Sequence, residues 1–152
     1  MTIAAFEAQA SWLPTVIGLR CAAVRTDGAH LISLYFGELR AVDDDLDAER
    51  VITLDGAWRV EQGESIIAAS EDPDDEREEF LNELLDKHLD RVDVTRPGYD
   101  LALVFEETLI VRCFPIDSLE YADDIDDPED AEISWWVDGD GMPDDWETAR
   151  AE

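Results

Sequence analysis

The chain has 152 residues, 45% of them hydrophobic, and sets 40 Asp and Glu against 11 Lys and Arg, a formal net charge of -29. That length and apolar content suit one domain, 1–152, with a real core, or two small lobes sharing one, and argue against a chain kept unfolded by its charge. A field this negative disfavours phosphate backbones and anionic membranes as partners and speeds encounter with basic ones.

Residues 1–18 read as a short helix or docked segment that ends in a turn at Pro14 and Gly18. Two strands follow, 19–25 and 30–37, joined by TDGA, in which Asp-Gly is the turn signal. The run AVDDDLDAE, 41–49, reads as a loop. Residues 50–70 give three short strands with breaks at Asp55-Gly56 and Gln62-Gly63. The period then changes. In EDPDDEREEFLNELLDKHL, residues Phe80, Leu81, Leu84 and Leu85 form one apolar stripe that Leu89 extends, which predicts a helix over 74–88. Asp72 before Pro73 makes an N-cap and first-turn pair, and Lys87 and His88 suit the negative end of the dipole. Strands are expected again at 91–95, 99–106, 108–114 and 132–137, the last with Ile133, Trp135 and Val137 on one face and Trp136 on the other.

The two halves of the chain echo each other. Leu19, Ala22 and Val24 lead through a turn to LISLYFGE; Leu89, Val92 and Val94 lead through a turn to DLALVFEE. Each half later carries a strand around Trp, at Trp58 and at Trp135-Trp136. The fold class expected is α+β, mostly antiparallel sheet in two similar β-rich halves, with one clear amphipathic helix between them. The internal duplication would cover 15–61 and 85–138.

Motifs for chemistry are sparse. Cys21 and Cys113 lie 92 positions apart in apolar runs with no CxxC, which reads as two small buried residues in a reducing compartment. The opening MTIAAFEAQASW has no basic n-region and no apolar run reaches membrane length, so a cytoplasmic protein is expected. The loop DGDGMPDDWE starting at Asp138 departs from a calcium loop, since Met142 and Pro143 stand where an oxygen ligand and a glycine are required. With only His30 and His88, a three-ligand zinc site lacks its usual donors, and no metal or cofactor is expected. GxSxG, HExxH and phosphate-cradling glycine loops are absent. A carboxylate-based hydrolase would need a pocket around convergent acids such as Asp100, Glu106 and Glu107. Arg20, Arg25 and Arg40 form the only loose basic cluster, too small for direct nucleic-acid binding.

The segment ADDIDDPEDAEISWWVDGDGMPDDWE, 122–147, remains. It sets 12 carboxylates around three tryptophans. Trp135 reads as core. Trp136 and Trp146 are the candidate anchors for a basic protein partner, and Asp123, Asp124, Asp126, Asp127, Glu129 and Asp130 supply the complementary charge. The competing readings are buried tryptophans beneath a solvated acidic loop, an acidic or salt-adapted structural protein, and a DNA mimic that presents carboxylates in place of phosphates.

A strand hairpin ending in Phe with Gly or Glu, followed by a later Trp strand, occurs twice, in 31–37 with 57–60 and in 100–106 with 134–137. This pattern resembles small bacterial proteins that look like immunity proteins of bacterial toxin systems. The second copy departs from the first by placing Glu106 where the first has Gly37. The resemblance implies a non-enzymatic protein that masks a toxin, often a basic nuclease, and it supplies no catalytic residues.

Overall fold

A computed structural model of the chain describes residues 3–27, 31–42, 45–95, 99–114 and 135–139. Helix α1 (Ile3–Trp12) runs into a 3-10 turn (Leu13–Val16), and then come β1 (Cys21–Asp27), β2 (Leu31–Val42), β3 (Asp45–Asp55), β4 (Ala57–Gln62) and β5 (Ser65–Ala69). Helix α2 (Asp74–Leu81) and a second 3-10 turn (Asn82–Leu84) lead to β6 (Leu89–Thr95), β7 (Asp100–Phe105), β8 (Leu109–Phe114) and β9 (Trp135–Gly139). All named strand pairs are antiparallel, in a four-stranded sheet of order β1-β2-β3-β9 and a five-stranded sheet of order β5-β4-β8-β7-β6. The chain is therefore α+β and mostly antiparallel sheet, as the period-two patterns predict.

Alternation decides which faces meet. In β8, Leu109, Val111 and Cys113 are buried while Ile110, Arg112 and Phe114 face outward; in β4, Trp58 and Val60 are buried between Arg59 and Glu61. Ile32, Leu34 and Phe36 of β2 are fully buried, and one apolar cluster joins the inner faces of both sheets. Phe36 and Phe105 stack across the interface, with ring centroids 6.0 Å apart and planes 14° from parallel. Each such side chain contributes about 1.5–3 kcal/mol on burial.

The two sheets exchange strands. β3 is followed in sequence by β4, yet β4 pairs with β8 of the other sheet, and β9 returns from the second half to pair with β3. Trp58 lies opposite Cys113 and Val60 opposite Val111; likewise Trp135 lies opposite Leu54 and Val137 opposite Ile52. Between the sheets the backbone bonds also come in matched pairs. Gly18 N–H donates to the Leu89 carbonyl at 2.7 Å and Asp86 N–H to Cys21 at 2.8 Å, while Leu89 N–H donates to Leu19 at 3.0 Å and Cys21 N–H to Lys87 at 2.8 Å. The matched positions (18 and 86, 19 and 87, 21 and 89) are each 68 residues apart.

Three local expectations are overturned. The loop expected over 41–49 is mostly strand: β2 and β3 continue past a bulge at Phe36/Leu39 and pair through Leu39–Ala48, Arg40–Asp47, Ala41–Leu46 and Val42–Asp45. Cross-strand pairing here overrides the unfavourable strand propensity of the aspartates. The clear helix expected over 74–88 is short: α2 stops at Leu81 and its 3-10 extension at Leu84. Leu85 is extended and 36% exposed, Asp86 takes a φ of 68°, and residues 86–89 are held by the backbone bonds to 18–21. Of the predicted stripe Leu81 and Leu84 are buried, whereas Leu89 belongs to β6; the Phe80 side chain lies outside what is described. Asp72 does not cap the helix, because its carboxylate accepts the Ala69 N–H at 2.8 Å.

Candidate partner-binding face

Of the expected anchors and acids, Trp136 lies on β9, while Trp146, Asp123, Asp124, Asp126, Asp127, Glu129 and Asp130 lie outside the described residues. Alternation along β9 buries Trp135 and Val137 and turns Trp136 and Asp138 to the other face. Trp136 is half-buried; Trp135 is fully buried and its indole N–H donates to the Tyr99 carbonyl at 2.8 Å.

The strand that carries Trp136 is held from several sides. β3 pairs along it from Arg50–Gly139 to Leu54–Trp135. On the opposite edge, Val137 N–H donates to Gln9 Oε1 of α1 at 2.7 Å, and Gln9 is itself buried. Tyr99 donates its hydroxyl to Glu7 Oε1 at 2.9 Å, which ties α1 to the start of β7. At the far end a Cβ on Gly139 would overlap the Glu49 carbonyl oxygen, so the glycine allows β9 its close approach to β3. Trp136 thus stands on a backbone already ordered, and binding through it need not order that strand.

Across the outer face the register places Trp136 beside Thr53, Thr53 beside Ser33 and Ser33 beside Arg25. The Ser33 and Thr53 hydroxyls lie 3.4 Å apart. A groove of about 380 Å³ on this face is lined by Arg25, Thr26, Leu31, Ser33 and Tyr35.

Among the described residues no Asp or Glu is buried; the buried polar side chains are Gln9, Thr53, Ser70 and Arg77. Most of the described arginines pair with the chain's own carboxylates. Arg20 pairs with Asp86, Arg40 with Asp47 at 3.4 Å, Arg91 with Asp93 at 3.0 Å, and Arg59 and Arg112 share Glu61 at 2.6 and 2.9 Å. Arg59 also sits over the Phe114 ring at 5.1 Å. The loose basic cluster expected at Arg20, Arg25 and Arg40 is therefore divided, with Arg20 and Arg40 each on its own carboxylate. The Arg59–Glu61–Arg112 group escaped the sequence reading. Its only sequence signal was the outward parity of Arg59 and Glu61; the partner strand came from 51 residues away.

Asp100 is half-buried at the start of β7, and Glu106 and Glu107 are exposed in the turn after it with φ of 48° and 63°. Glu106 Oε2 accepts the backbone N–H of His88 at 3.2 Å. No group of three His, Cys, Asp or Glu among the described residues is placed to hold a metal ion, and no described helix is long and apolar enough to cross a membrane. Comparison with protein-family models, with curated proteins and with solved structures found no match to this chain.

Proposed function

We propose that the chain is a non-enzymatic cytoplasmic interaction protein that binds a basic protein, such as a nuclease toxin, and neutralises it by occupying its basic cleft. Trp136 carries this reading: a half-buried indole on the outer face of a strand that is fixed by β3 and Gln9. Interface hot spots favour aromatic anchors of this kind within a polar rim. The exposed carboxylates supply the attraction, since most described arginines are already paired within the chain. In this reading Trp146 and the acids at 123–130 complete the surface.

Affinity capture from the host lysate, at low and at near-molar salt, tests it. One basic protein in stoichiometric amount is expected to remain at high salt. Trp136→Ala removes no fully buried side chain and is expected to weaken its capture about tenfold or more. A smear of basic proteins released by salt, equal for both forms, would sink the proposal.

A second reading has its own support. Exposed acids are spread over α2 (Asp75, Glu76, Glu78, Glu79), β6 (Asp90, Asp93) and the turns (Glu64, Glu107), the distribution of a salt-adapted surface. That reading requires the unfolding midpoint to keep rising into molar salt, beyond the range in which simple screening of repulsion saturates.

A further inference from the structure

Among the described residues Arg25 is the only arginine whose side chain makes no hydrogen bond or ion pair within the chain. In a protein of net charge -29 that is a notable omission, because carboxylates are abundant and every other described guanidinium is engaged. Its position adds a second observation. β1 is the outermost strand of the four-stranded sheet, and beyond Cys21 no described strand pairs with its free edge. Two grooves meet at that edge, one on each face. The outer one, about 380 Å³, is lined by Arg25, Thr26, Leu31, Ser33 and Tyr35; the inner one, about 300 Å³, by Val24, Arg25, Thr26, Glu78, Leu81 and Asn82.

We propose that the β1 edge is a docking site for an extended peptide segment of a partner, which places a carboxylate side chain against Arg25 in the outer groove and an uncharged side chain in the inner one. An added strand alternates its side chains between the two faces of a sheet, so one groove per face is what such a segment requires. The planar guanidinium takes a carboxylate through two parallel bonds, and the Ser33 hydroxyl is a further donor in the same groove. In the inner groove Glu78 rejects a second carboxylate, while Val24 offers apolar contact. This site is separate from Trp136, and either assignment stands if the other fails.

The probe is a pair of capped synthetic peptides of alternating Thr and Val, one with a central Glu and one with Gln in its place. Each is titrated into the isotopically labelled full chain up to about 10 mM, a range that reaches millimolar affinities. The Glu peptide is expected to shift backbone amides of 22–27 and 31–35 and to bind at least about tenfold more tightly than the Gln peptide. Arg25→Gln should abolish that preference. Arg91→Gln, which changes net charge equally at a distant strand, should keep it and so exclude a general charge effect. Shifts absent from β1, equal binding of the two peptides, or a preference that survives Arg25→Gln would each overturn the proposal.

Discussion

Cys21 and Cys113 are fully buried thiols, and burial pushes both from an ordinary 9.0 up to about 12. The secondary influences differ: at Cys21 the Ala23 carbonyl accepts from the thiol, while at Cys113 the charges of Asp55 and Asp100 raise it further. A thiol that resists ionisation in the folded state favours folding fully below pH 9. That contribution is lost as pH rises toward 12, because the unfolded chain ionises its thiols first and the folded chain does not follow until later. The urea midpoint should therefore fall from pH 9 upward, and a Cys21→Ala, Cys113→Ala double variant should show a shallower fall. In the native state both thiols should resist a thiol reagent at pH 8 and react together on unfolding. Rapid reaction of either in the folded protein would contradict their burial. Both burials were legible in the sequence, since each cysteine sits in an apolar run of strand period. Arg25 was not: that it makes no ion pair among the described residues depends on which strands and carboxylates come together in space.

At the scale of elements, the largest departure from expectation is the arm formed by β2 and β3 beyond Phe36. In the other sheet the matching hairpin turns at once, with Phe105 opposite Leu109 and Thr108 N–H on the Phe105 carbonyl at 3.0 Å. Gly37 launches the arm. It has a φ of 84°, its N–H donates to the Arg20 carbonyl at 2.9 Å, and a Cβ there would stand 2.9 Å from Glu49 Cδ. Gly37→Ala is expected to cost about 1–2 kcal/mol in urea unfolding, from the left-handed backbone alone. A cost near zero would mean that the bulge relaxes when substituted. Glu106, the residue that breaks the sequence match to Gly37, also has a positive φ of 48°, and its N–H donates to the His88 carbonyl at 3.2 Å. The mismatch in residue type therefore hides a match in backbone. Helix α2 shows the reverse error, in which a sound periodicity at Leu81 and Leu84 was extended through Leu85–Leu89. Local propensity favoured continuation there, and the backbone bonds to 18–21 prevented it.

At the scale of the whole molecule, we propose that 15–61 and 85–138 are copies of one unit whose fourth strands have changed places. The paired bonds 68 residues apart and the equivalent seats of Trp58 and Trp135 support this. A single unit would leave the edge of its third strand open where β4 or β9 now lies. Residues 1–70 expressed alone are accordingly expected to form a dimer, each copy adding β4 to β3 of the other. A folded monomer at micromolar concentration would count against a shared origin. β5 and the arm are the main departures from equivalence, and both lie outside the shared three-strand core.

Strand periodicity and the Trp strands were legible in the sequence by itself, because a half-buried strand needs only local alternation of apolar and polar residues. So was the chain's negative field, which is a sum over side chains and indifferent to their arrangement. Only the tertiary structure decided which sheet each Trp strand would join, which arginines would find carboxylates, and that Arg25 would find none among the described residues. Those outcomes depend on backbone edges and side chains brought together from distant parts of the chain, and no local pattern encodes such a pairing.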